Sequence, residues 1–231
     1  MMTRTLTPAQ RMGLSIGVAT GLYGLSFGAL GVAAGLTVAQ TCALSLLMFT
    51  GGSQFALVGV LSGGGTWPAA VTAASLLGVR NAVYGVQINE LLRPRGLTRI
   101  LMAHLTIDES TATSLGQEAT DEQRRGFWTA GLAVFAFWNL ATFVGALAGA
   151  SLGDPKAWGL DGAAVAAFLG LLWPRLKGRR PVEVAAVCAA ATLIATPFVP
   201  PGIPIVLAAA VAVFISWLRH RQDLRAGGEH A

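Results

Sequence analysis

The side chains able to do chemistry fall in three short runs: Thr50-Gly51-Gly52-Ser53-Gln54-Phe55, Arg80-Asn81 and Asp108-Glu109. A guanidinium grips a carboxylate through two parallel hydrogen bonds. Paired glycines leave backbone N–H groups open to an anion, above all where a helix begins. An amide supplies both donor and acceptor, and a carboxylate accepts hydrogen bonds or carries a proton. His104 stands four residues before Asp108, so a continuous helix would put both on one face as a proton relay near neutral pH. The chain has no His-Glu-x-x-His, Gly-x-Ser-x-Gly or Walker loop, so no enzyme activity, ATP hydrolysis or cofactor is expected.

These polar groups sit in a greasy chain. Of its 231 residues 54% are hydrophobic and 12% charged, against about 25% charged in soluble domains; the mean hydropathy is +0.61. Apolar runs close to the roughly 20 residues that cross a bilayer recur at 13–36, 37–61, 67–92, 126–152, 160–176, 182–200 and 202–219. They predict an all-α, polytopic transmembrane helical bundle of about seven spans, as one integral membrane domain over residues 1–231. Met1 to Arg11 is polar and no clear small-residue cleavage site follows, so the first span is expected to be retained. Cys42 and Cys188 lie within spans, lack metal-ligand spacing, and read as small packing residues.

The net charge of +5 is a topology signal rather than a sign of nucleic-acid binding. Arg93, Arg95 and Arg99, then Arg124 and Arg125, then Arg175, Lys177, Arg179 and Arg180, then Arg219, Arg221 and Arg225 cluster just beyond span ends. Excess Lys and Arg mark cytoplasmic loops, which places the C-terminus inside. The connections 62–66, 153–158 and 199–202, with Lys156 as their one basic residue, are then the outer loops. Seven crossings strand Arg4 and Arg11 outside. The rival has residues 13–61 crossing once, with the stretch around Gly51-Gly52 re-entering from one face, which brings the N-terminus inside. Seven crossings are favoured at this stage.

Glycines 17, 21, 24, 28, 31 and 35 form a ladder along span one, and Ala141, Gly145, Gly149 and Gly153 repeat the device in span four. Small residues at i and i+4 let helix backbones approach closely, so these read as packing faces. A candidate inverted repeat pairs Gly35-Leu36-Thr37-Val38-Ala39 with Gly159-Leu160-Asp161-Gly162-Ala163, giving halves 13–92 and 126–219 and matching the Gly51-Gly52 break with Pro174.

The Thr50–Gln54 break, Arg80-Asn81, and Asn139 with Thr142 all fall near mid-span. Polar groups at that depth face a bundle interior, where they pair with one another or line a pathway. For Asn139 and Thr142 interhelical hydrogen bonding competes with a binding role. Arg80 needs an acceptor: Glu90, further along the same helix by roughly 15 Å, is too far. Asp108 or Glu109 would serve if segment 97–116 folds back into the bundle, and a substrate carboxylate is the other choice. The simpler expectation for 97–115 is an amphipathic helix on the cytoplasmic surface.

Residues 24–92, with Phe27-Gly28, Gly35-Leu36, Gln40, Phe49 through Phe55 and Arg80 through Tyr84-Gly85, resemble the AzlC family. The resemblance continues through Asp108-Glu109, Gly159-Leu160-Asp161, Phe168, Pro174 and Pro200-Pro201-Gly202. It implies the large subunit of a two-component secondary exporter of branched-chain or other small apolar amino acids, in a bacterial inner membrane, paired with a small AzlD-type membrane subunit. Gly78, Arg80 and Asn81 stand where that family's third span reads Asn-x-Arg-His, so Arg80 is matched and no histidine role is carried over to position 81. For such a solute, N–H groups around Gly51, Gly52 and Ser53, with Arg80, would take the carboxylate. Gln54 and Asn81 would take the ammonium, and Asn139 lies at the same depth. Phe27, Phe49, Phe55 and Tyr84 would hold the side chain, and Asp108 or Glu109 would carry the coupling proton. A passive channel for a small polar solute is the alternative.

Overall fold

The computed structural model describes residues 6–151, 169–170, 172–173, 176–200 and 202–228. Among these residues the elements are helices: α1 (Pro8–Ala33), α2 (Val38–Leu47), α3 (Gly52–Ser62), α4 (Trp67–Leu92), α5 (Gly96–His104), α6 (Asp108–Leu115), α7 (Thr120–Ser151), α8 (Arg179–Ala195) and α9 (Ile203–Gly228), with a 3₁₀ turn at Thr196–Phe198. Five stretches are long and apolar enough to cross a bilayer: α1, α4, α7, α8 with its 3₁₀ extension, and α9. The chain is a multi-pass membrane protein with an all-α bundle. The span expected at 160–176 and the repeat partner from Gly159 to Pro174 lie mostly or wholly outside the described residues.

The glycine ladder of α1 packs on α7, and the two helices run parallel. A methyl built on Gly13 would meet Ala130, on Gly17 Ala133, on Gly21 Phe137 and on Gly24 the carbonyl of Trp138. Gly28 faces the Thr142 carbonyl, Gly145 faces the Leu25 carbonyl and Gly149 faces Ala29. Both partners therefore contribute glycines, and the backbones touch as small-residue faces allow. Gly31 leaves this register and faces Thr41 instead, while Gly35, at φ +91°, makes the turn into α2.

Residues 37–61 do not form one crossing. From the far end of α1, α2 descends beside α7: Thr41 sits on Gly31, Ser45 donates to Thr142 Oγ1, and Phe49 reaches Phe135 near the middle of α7. The chain then reverses at Met48–Gly51. α3 climbs back, with Phe55 against Phe27 and Trp138. Ten- and eleven-residue helices are too short to span and instead form a re-entrant hairpin, which corrects the expected crossing at 37–61. The sharp reversal uses Gly51 at φ +59°, a backbone conformation that a Cβ would strain.

A second hairpin enters from the opposite face. α4 runs from the α3 end of the molecule past the tip, bringing Gly78 beside Ser53 and Gly52 beside Arg80, to Leu92, whose carbonyl accepts from Arg124 at the start of α7. α5 then climbs inward until His104 stacks with Phe49 and Phe135, and α6 returns along α7, Ser110 beside Gly131 and Thr113 beside Gly126. The expected surface helix over 97–115 is thus a folded-back hairpin. His104 ends one helix and Asp108 opens the next, so they do not share a helical face.

The order long helix, half-helix, half-helix occurs twice, with opposite directions. α1 and α4 both have 26 residues, and each is followed by a hairpin that enters from the face where the long helix ends. The tips share a capping pattern, in which a side chain accepts from the N–H three residues before it. Gln54 accepts from the Gly51 N–H and donates to the Leu44 carbonyl, while Ser110 accepts from the Ile107 N–H and donates to the Leu105 carbonyl. Residues 8–62 and 67–115 therefore form an inverted-topology repeat, while the pairing of 13–92 with 126–219 falls partly outside the described residues.

α8 and α9 form an antiparallel pair, with Arg219 bonded to Glu183 and Cys188 to the Ala208 carbonyl. Gly202, before α9, packs on Ala69 and Val60, so the 199–202 turn lies at the same end as the 63–66 turn. Because the first hairpin does not cross, the start of α1 with Arg11 joins Arg93, Arg95, Arg99, Arg124, Arg125, Arg179, Arg180 and Arg219 at the opposite end.

Gly28→Ala is expected to destabilise the folded protein by about 1–3 kcal/mol, because the obstructing Thr142 oxygen and Ala146 nitrogen are backbone and cannot swing aside. Gly59→Ala, with nothing within 4 Å of the added methyl, should leave the melting temperature in detergent unchanged. Equal melting temperatures for the two variants would contradict the packed α1–α7 face.

Candidate functional site

Two half-helices end and two begin where the hairpin tips meet. The first turn of a helix leaves N–H groups without intrahelical acceptors, and its dipole favours negative charge there. α6 meets that field with its own Asp108 and Glu109, whereas α3 starts Gly-Ser-Gln and brings no acid. Between the tips lies a cavity of about 150 Å³, space for roughly ten waters. Phe49, Thr50, Gly51 and Gly52 line it from one tip and Ile107, Asp108 and Glu109 from the other. Phe55, Val134 and Trp138 provide much of its apolar wall, with Thr20 and Tyr23 contributed by α1.

Midway along α4, Arg80 ties the tips together. Its Nη2 donates to the Thr50 carbonyl at 3.2 Å and lies 2.9 Å from Asp108 Oδ2. Tyr84, one turn on, donates to Asp108 Oδ1 at 2.9 Å. The acceptor that mid-bilayer Arg80 requires is thus Asp108, with side-chain exposures of 23% and 19% for the pair. Gly52 leaves room for this arm, since a methyl there would come within 2.8 Å of Arg80 Nη2. The next residue, Asn81, donates to the Thr106 carbonyl at 3.2 Å in the second tip.

The residues expected from sequence divide into those at the cavity and those that hold it. Gly51, Gly52, Phe55, Asp108 and Glu109 line it, together with Phe49. Arg80, Asn81 and Tyr84 bond the tips from α4 and are not among the lining residues. Gln54, 0% exposed, uses both ends of its amide within its own hairpin and is not among the lining residues. Ser53 is buried with its hydroxyl unpaired and lies beside Gly78. Asn139 donates to the Phe135 carbonyl of its own helix and is not among the lining residues, whereas Thr142 does bond across helices, to Ser45. Phe27 backs the wall, stacked on Trp138 at 6.1 Å and edge-on to Phe55 at 5.7 Å.

Sequence reasoning missed Trp138, Val134, Ile107, Thr20 and Tyr23. Trp138 carried the best signal, being adjacent to Asn139 at mid-span. It is 3% exposed, and its indole N–H has no acceptor among the described residues. The Thr50 hydroxyl and Arg80 Nε are likewise buried and unpartnered. Such orphans are uncommon in folded proteins. Glu109 makes no ion pair among the described residues, since Arg80 bonds Asp108.

Arg80→Gln should destabilise the fold by about 3–5 kcal/mol by leaving Asp108 alone, and Arg80→Gln with Asp108→Asn should recover much of that loss in thermal unfolding. Additive losses in the double variant would contradict a direct pair.

A family model described as AzlC protein matches residues 15–152, which is more than half of the chain and runs from α1 through α7. No curated protein and no solved structure matches significantly. The matched stretch contains both hairpins, Arg80 and every residue lining the cavity except Gly170, and the chain belongs to the AzlC family of membrane transport proteins.

Proposed function

We propose that this chain is the large subunit of a proton-coupled secondary exporter of branched-chain or other small apolar amino acids. It would sit in a bacterial inner membrane with its basic end and C-terminus in the cytoplasm, working with a small AzlD-type membrane subunit. The cavity between the two hairpin tips carries this reading. It brings together the three kinds of surface an amino-acid zwitterion needs.

The bare N-terminus of α3 and the Thr50 hydroxyl offer donors to a carboxylate. Glu109 offers an acceptor to the ammonium. Phe49, Phe55, Val134, Ile107 and Trp138 surround an apolar side chain. The small volume suits a short solute. Asp108 is committed to Arg80 and Tyr84, so the proton role narrows to Glu109. A carboxylate that takes either a proton or the solute's ammonium, and not both, exchanges one for the other. Protons moving inward then drive amino acid outward.

Efflux of preloaded valine, leucine, isoleucine and methionine from vesicles should stop when an uncoupler collapses the pH gradient. Glu109→Gln should lower gradient-driven export by roughly a hundredfold, and a membrane protein of about a hundred residues should co-purify with the wild type. Efflux indifferent to the uncoupler would instead indicate a channel, and uphill export by Glu109→Gln would remove Glu109 from the coupling.

A further inference from the structure

Consecutive residues of α4 hold equivalent atoms of the two repeats. Superposing the tips by their capping bonds matches Gly51 with Ile107 and Gln54 with Ser110, which makes Thr50 the counterpart of Thr106. Arg80 donates to the Thr50 carbonyl and Asn81 to the Thr106 carbonyl. The hairpins enter from opposite faces, and each lines the cavity with its tip. In inverted-repeat transporters the solute site lies at the repeat interface, among discontinuous helices near mid-membrane. From this geometry we infer that the hairpins are the two gates of the pathway, and that Arg80 and Asn81 are the positioning residues that latch them to one helix.

The latches are unequal. In polar bonds among the described residues, the first tip is held to α4 by Arg80 to the Thr50 carbonyl, with α3 also packed along α4 through Ser53 and Gly78, and the second by Asn81 to Thr106, Tyr84 to Asp108 and Arg80 to Asp108. One guanidinium nitrogen serves both gates. Any event that draws Arg80 fully onto Asp108 frees the first tip, and any event that draws it off Asp108 loosens the second. Simultaneous opening requires losing both contacts of a charged group at mid-depth, which is costly. That shared nitrogen thus couples the gates so that one stays shut while the other opens. Unlike Arg80, Asn81 touches the second tip alone and gives the arrangement its side-specific arm.

The inference rests on the transport reading above, but its test needs no solute. In the full chain with Cys42→Ala and Cys188→Ala, Val134→Cys places a thiol on the cavity wall, on a residue 1% exposed in α7 and outside both hairpins. A membrane-impermeant maleimide is applied to either face of sealed membranes, and the modification rate is read. Asn81→Ala with Tyr84→Phe should raise that rate roughly tenfold from the basic face, which carries Arg93 and Arg95, with no change from the other. Asn81→Leu with Tyr84→Phe removes the same donors without shrinking the side chain, and should give the same result. Arg80→Gln should raise it from both faces. Thr72→Ala, on α4 and bonded to Pro68, touches neither tip and should change nothing. A rise from both faces in the Asn81 variants, or from neither, would overturn the assignment of the latches. Loss of export with this accessibility pattern intact would count against the solute and leave the gates standing.

Discussion

A guanidinium at the centre of a bilayer must be paired, and this fold is arranged around how Arg80 is paired. Hydrocarbon offers no solvation, so the cost of burying the charge falls on whatever the protein brings to it. Here the partners come from both faces at once, a backbone carbonyl from one hairpin and a carboxylate from the other. Neither hairpin spans the membrane, and each exposes broken backbone at its tip. Irregular backbone at that depth persists only where protein or a water-filled cavity satisfies it. The two tips, Arg80 and the cavity are therefore one mutually dependent unit.

Small residues make that unit fit. Gly52 lets Arg80 lie against the first tip, and Gly51 lets the chain turn where a side chain would be strained. The glycine face between α1 and α7 brings two parallel helices into backbone contact, and the hairpins lean on this pair through Thr41, Ser45, Phe49, Ser110 and Thr113. A closely packed pair of long helices thus carries both half-membrane hairpins. The capping bonds of Gln54 and Ser110 do the same at smaller scale, each closing its own tip with one side chain.

The sequence showed the break at Gly51-Gly52, the packing role of the glycine ladders and the special burden of Arg80, because each depends on residue type at a single place. It concealed the second hairpin. Nine- and eight-residue helices leave no 20-residue apolar run, and Asp108 and Ser110, which read as part of a wet surface, are instead bonded by α4 and by a tip carbonyl. The crossing expected at 37–61 was misread for a related reason, since two half-helices joined by a turn have the same apolar length as one span. The resemblance of the 8–62 and 67–115 units was not legible, because its signature is polar and sparse, the pairs Thr50 with Gln54 and Thr106 with Ser110. Trp138 was missed because an aromatic among apolar neighbours reads as core until its unpaired N–H is seen at the cavity.

The central claim is that the two hairpin tips, entering from opposite faces, meet at mid-membrane. It is tested most directly by a short thiol crosslinker on Phe49→Cys with His104→Cys, in membranes, with Cys42 and Cys188 replaced and a protease site placed in the 63–66 turn. The rings of Phe49 and His104 lie 6.0 Å apart, so the two fragments should stay joined after cleavage. Fragments that separate under conditions in which each thiol reacts would contradict the meeting of the tips.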